Sequence, residues 1–148
     1  MGKETIKKFF VFLVLILILV IFWRPDAQPT PTTASLFVGN TKISIEIAKT
    51  SAEIIKGLSG RLALAENSGL FFIFPYADKH GIWMKEMNFP IDIIWLDENL
   101  KIVTIKENAT PDSYPEVFTS TAPALYVLEI PTGFVQKNKI SVGMIGHF

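Results

Sequence analysis

Apolar residues follow two different patterns along this chain. From Phe9 to Trp23 the sequence FFVFLVLILILVIFW is uninterrupted by any polar side chain, whereas beyond Leu36 apolar and polar residues alternate in short runs. In Thr41–Ile47, Ile43, Ile45 and Ile47 alternate with Lys42, Ser44 and Glu46, the period of a strand with one buried face. Leu36-Phe37-Val38 precedes it across Gly39-Asn40, a two-residue hairpin turn. Thr50-Ser51-Ala52-Glu53 then fits a helical capping box. The Thr50 hydroxyl would accept from the Glu53 N–H while the Glu53 carboxylate reaches back, and Gly57 and Gly60 suit the end of the helix.

The wholly apolar run Leu70–Phe74, bounded by Gly69 and Pro75, predicts a strand covered on both faces. Gly81–Lys85 follows. Ile91–Leu96 reads as a central strand, turned at Asp97-Glu98-Asn99 into a hairpin partner at Lys101–Lys106. A loop spans Asn108 to Thr121. Leu125–Ile130 is a further strand, Thr132–Asn138 a turn or short helix, and Val142–Phe148 a last strand. Short strands with frequent turns and one short helix predict a mainly β fold. It is expected to be an antiparallel sandwich or jelly roll, or a small closed barrel, behind an N-terminal transmembrane helix.

The N-terminal run extends roughly 22 Å as a helix, short of a ~30 Å hydrocarbon core unless its flanks snorkel. Lys7, Lys8 and Arg24 can do so, and Trp23 suits an interface. A cleaved signal peptide would share the basic start and apolar core, but Trp23-Arg24-Pro25-Asp26 follows where small residues should mark a cut. The run is therefore expected to stay as a membrane anchor. Lys3, Lys7 and Lys8 before it, against Arg24 after it, place the N-terminus in the cytoplasm and the rest of the chain outside. Residues 1–24 are then the anchor, 25–35 a proline-rich spacer with Pro25, Pro29 and Pro31, and 36–148 one extracytoplasmic domain.

Composition removes several classes of function. The chain has no cysteine, so thiol catalysis, disulfides, Cys-ligated zinc and a lipidated cysteine are excluded. From Leu36 onward, ten Lys and Arg face twelve Asp and Glu, without the clustered basic surface that nucleic acid requires. His80 and His147 lack metal-ligand spacing, so no metal or other cofactor is expected.

Several motifs resemble those of one prokaryotic family. They are Thr50-x-x-Glu53-x-x-x-Gly57-Leu58-x-x-Arg61-x-x-Leu64, Gly69–Phe74, Trp83-Met84-Lys85, Pro90–Asp97, and Pro123-Ala124-x-Tyr126-Val127-Leu128-Glu129-Ile130-x-x-Gly133. At this spacing the chain resembles the family catalogued as domain of unknown function one-nine-two. The resemblance implies a compact, mostly β fold carried behind an export signal or anchor, and no established activity. Ser59 stands where that family usually has methionine, and Gly143-Met144 replaces its usual Gly-Asp.

The charged members of these motifs, with one aromatic, are the candidate site residues: Glu53, Arg61, Trp83, Lys85, Asp92 and Glu129. Asp92 and Glu129 interrupt apolar strands. A carboxylate there needs a cation or several donors, and Asp92 is expected to pair with Lys85 or Arg61. Glu53 has the alternative role of capping its helix. Tyr76, Trp83, Trp95 and Phe134 could form an aromatic platform, although Trp95 alternates with Ile91 and Ile93 as a core residue does.

Two functions fit this pattern. One is a non-catalytic module of the cell envelope that binds a glycan, peptide, protein or small ligand around Trp83-Met84-Lys85, Asn88 and the loop 108–121. The other is a hydrolase of envelope polymers using Glu53 and Asp92 beside Arg61 and Lys85, which needs its carboxyls either ~5 Å or about 6.5–9.5 Å apart across an open groove. Whether these charged groups line an accessible cleft or lie sealed beneath the sheet separates the two.

Overall fold

The computed structural model describes residues 2, 7–8, 12–14 and 32–148. Contacts divide the chain into the units Met1–Thr30 and Pro31–Phe148. Most of the proposed anchor and spacer lies outside the described residues, and among the described residues no helix is long and apolar enough to cross a membrane.

Among the described residues nine strands appear in chain order: β1 (Thr33–Val38), β2 (Thr41–Ala48), β3 (Ser68–Asp78), β4 (Gly81–Trp83), β5 (Ile91–Leu96), β6 (Ile102–Ala109), β7 (Val117–Thr119), β8 (Ala124–Pro131) and β9 (Gly146–His147). Helix α1 (Ser51–Lys56) follows β2, and the single turn α2 (Phe134–Lys137) follows β8. Seven strands form one sheet in the order β6-β5-β8-β3-β2-β1-β9, while β4 and β7 form a separate two-stranded ribbon.

This differs from the expected antiparallel sandwich or jelly roll. There is one principal sheet, and β2 and β3 run parallel, with Ser44 opposite Ser68 and Ala48 opposite Phe72. Parallel neighbours need a long crossover, which the segment carrying α1 supplies. The sheet is also curled. β9 pairs with β1, while the Gly146 N–H donates to the Leu100 carbonyl at 2.9 Å and the Ile102 N–H donates to the Met144 carbonyl at 2.8 Å. The two edges thus meet at one end, making a half-barrel instead of a closed barrel.

Alternation along the central strands builds two cores, one on each face. Ile45, Phe71, Ile94 and Leu128 belong to the first, which Phe134 and Val135 of α2 help to cover. Leu70, Phe72, Ile93, Trp95 and Val127 belong to the second, beneath Leu58, Met84, and Ile82 and Phe118 of the ribbon. Phe71 and its neighbours Leu70 and Phe72 therefore serve opposite cores, as the unbroken apolar run predicts. Gly69 permits the close approach of β8. A Cβ there would lie 2.9 Å from the Glu129 carbonyl oxygen and 2.8 Å from Leu128 Cδ1.

A buried carboxyl beneath an apolar cleft

Glu129 lies on β8 between Leu128 and Ile130, both in the first core, so its side chain emerges on the second face. Glu46 of β2 stands opposite Leu70, and Leu70 stands opposite Glu129, which in turn faces Ile93 of β5. Two glutamates thus occupy one transverse row on this face, separated by a leucine.

The two are treated differently by their surroundings. Arg61 grips Glu46 in a two-pronged pair, with Nη1 to Oε1 at 2.8 Å and Nη2 to Oε2 at 2.7 Å. That hydrogen bonding holds the Glu46 carboxyl below its ordinary range and raises Arg61. Glu129 is 5% exposed, and its Oε2 has no hydrogen-bond partner among the described residues. Burial pushes its pKa up to about 8, against an opposing pull from the Arg61 charge. At neutral pH Glu129 is mainly a carboxylic acid.

Above it opens a cleft of about 200 Å³. Leu58, Phe72, Phe74, Ile82 and Met87 form apolar walls, Glu129 contributes the buried polar group, and Ile55, Lys56 and Trp83 also line it. One wall is tied to the chain after β4 by three hydrogen bonds. The Ser59 hydroxyl donates to the Lys85 carbonyl (2.9 Å), the Gly60 N–H to the Glu86 carbonyl (2.9 Å), and the Asn88 amide to the Arg61 carbonyl (2.8 Å). Ser59 is therefore a structural tie between the segment after α1 and the ribbon.

Of the six candidate residues, this region unites Arg61, Trp83 and Glu129. Trp83 is half exposed, with its ring edge-on to Tyr114 and the Lys85 ammonium 6.0 Å from its centre. Glu53 lies outside the cleft lining. Its carboxylate accepts from the backbone N–H of Thr50 (2.8 Å) and of Lys49 (3.0 Å), completing the capping box, and these donors lower its pKa.

The expected pairing of Asp92 with Lys85 or Arg61 is not formed. Asp92 is fully buried and accepts from the Asn108 N–H at 2.9 Å and the Val135 N–H at 3.0 Å. Arg61 is engaged by Glu46, and Lys85 is exposed. Asp92 stands opposite Ile130, a first-core residue, and so lies on the face away from Glu129. Glu53 and Asp92 therefore share no groove, and the carboxylate pair on which the hydrolase reading depended is not assembled.

The aromatic platform is likewise dispersed. Trp95 is buried in the second core with its indole N–H on the His80 carbonyl (2.9 Å), Phe134 is in the first core, and Tyr76 is exposed. Among the described residues no cluster of side chains could hold a metal ion. The residue that sequence reasoning passed over is Glu46. It sits at a polar position of an alternating strand, and nothing local distinguishes it from a solvent-facing glutamate.

Residues 34–145 match the model of the DUF192 family, described as Uncharacterized ACR. No curated protein matches the chain. Among solved structures, a candidate transcription regulator from Sinorhizobium meliloti 1021 is 26% identical with a TM-score of 0.76, over 82% of this chain and 97% of that one. A protein of unknown function from Novosphingobium aromaticivorans DSM 12444 is 28% identical with a TM-score of 0.75, over 84% of this chain and 93% of that one.

Proposed function

This chain belongs to the DUF192 family, and within it we propose that residues 32–148 form a non-catalytic module that binds a small ligand in the cleft over Glu129. The observation that carries this reading is the Glu129 carboxyl, buried in an apolar wall with one oxygen unpartnered. An unanswered buried polar group costs about 1–3 kcal/mol, and an apolar side chain at this position would avoid that cost. A polar group retained beside an open apolar cavity is the usual construction of a site whose partner comes from outside the chain.

The module's place in the cell is part of the proposal. The apolar run Phe9–Trp23, with Lys3, Lys7 and Lys8 before it, supports a membrane anchor with the domain on the extracytoplasmic side. The ligand would then be a component of the cell envelope.

A fragment screen read by methyl NMR tests the site. Binding fragments are expected to shift the methyl signals of Leu58, Ile82 and Met87 together, because these residues line the same cleft. Shifts scattered over the surface, or none at millimolar fragment, would remove the cleft as a binding site.

A further inference from the structure

Resting on that reading, we propose that the cleft selects an uncharged ligand with an apolar body and an amide group, held by hydrogen bonds to the buried Glu129 carboxyl. The walls fix the apolar half of this description. Leu58, Phe72, Phe74, Ile82 and Met87 offer no hydrogen-bond donor and at most the weak Met87 sulfur acceptor from their side chains, so the space between them favours a hydrocarbon or aromatic body.

Charge fixes the other half. The charged groups around Glu129 are Arg61, already neutralised by Glu46 of β2, and Lys56 at the end of α1, with Lys85 across the Trp83 ring. The adjacent residues on β3 and β5 are Leu70 and Ile93, which bring no charge. A cationic ligand would face Lys56 and the Arg61–Glu46 pair, whose acid is already engaged, and would have to ionise Glu129 in a buried setting. An anionic ligand would bring a second carboxylate against the same acid, its charge answered from the cleft lining only by Lys56 at the exposed end of α1.

A neutral carboxylic acid carries a donor and an acceptor side by side, and an amide presents the complementary acceptor and donor. An amide is thus an uncharged group able to answer such an acid, whose buried Oε2 has no partner among the described residues. The raised pKa of about 8 keeps Glu129 in the form this pairing needs across the neutral range.

Full-length protein labelled with ¹³C at the methionine methyls allows a direct test, since Met87 lines the cleft. Benzamide, benzylamine and benzoate are the probes. Benzamide is expected to shift the Met87 signal at about pH 6, and its affinity to fall about tenfold by about pH 9 as Glu129 loses its proton. The Glu129→Gln variant, whose side chain is itself an amide and cannot ionise, should keep benzamide binding and lose the pH dependence. If that variant fails to fold, the wild-type pH profile decides alone.

Binding of benzylamine or benzoate in preference to benzamide would overturn the ligand class while leaving the cleft as a site. Benzamide binding that does not weaken above about pH 8 would refute the role of protonated Glu129. Silence from all three probes overturns the proposal, and the fragment screen then shows whether the cleft binds anything.

Discussion

Asp92 and Glu129 are both acids inside apolar strands, and their fates differ because of what reaches them. Asp92 is met by two backbone N–H groups, from Asn108 at the end of β6 and Val135 in α2, and so clamps two elements to β5. Asp92→Ala would orphan the buried Val135 donor and release the part-buried Asn108 donor, and is expected to cost about 3 kcal/mol, seen as a lower urea midpoint. An unchanged midpoint would show that the clamp carries no stability. Glu129 has an ordinary value of 4.5 in the unfolded chain and about 8 when folded. Between these values the folded state binds more protons, so this group's contribution to stability is complete below about 4.5 and declines as pH rises to about 8, by up to about 1.4 kcal/mol per pH unit. Glu129→Gln should remove that decline, so urea midpoints of variant and wild type should diverge from pH 5 to 8, with the variant holding up better. Parallel curves would mean that Glu129 does not titrate in this window. That both acids need partners follows from their apolar neighbours in sequence. Which groups answer them does not, because Val135 and Asn108 come from elements distant along the chain.

At the scale of elements, local signals were legible and non-local pairing was not. Gly39-Asn40 joins β1 to β2, the Thr50 and Glu53 side chains form the capping box, and the apolar run 70–72 serves both cores. Each depends on residues a few positions apart. The parallel pairing of β2 with β3, and the β4–β7 ribbon, were hidden. Neighbours in a sheet are chosen by the whole set of apolar faces, and Val117–Thr119 lies in a loop flanked by Pro115 and Pro123. Gly69 shows how tightly that pairing is built. Gly69→Ala would place a methyl 2.9 Å from the Glu129 carbonyl oxygen, which is backbone and cannot rotate aside. The substitution is expected to destabilise the domain by about 1–3 kcal/mol. It should also perturb the Met87 methyl signal through displacement of β8. A variant with wild-type stability would show that β3 and β8 separate more easily than this packing implies.

For the whole molecule, the described ladder begins at Thr32, whose carbonyl accepts from the Ile47 N–H at 2.9 Å, and every strand of both sheets lies beyond it. Both hydrophobic cores are described from Ala34 onward, and the cleft from residue 54 onward. Residues 32–148 expressed alone should therefore fold and remain soluble, with β-type circular dichroism and the same Met84 and Met87 methyl positions as the full chain. With no cysteine in the sequence, the result should be the same in reducing and oxidising buffer. The two forms should differ in where they partition. If Phe9–Trp23 is retained as an anchor, the full chain sediments with membranes and its intact mass includes the N-terminal segment, while the shortened chain stays in the supernatant. A full-length product whose mass begins near Gln28 would show that the segment is removed, and would make the domain a released protein instead of a tethered one. A shortened chain that aggregates would instead show that the sheet needs support from the first thirty residues.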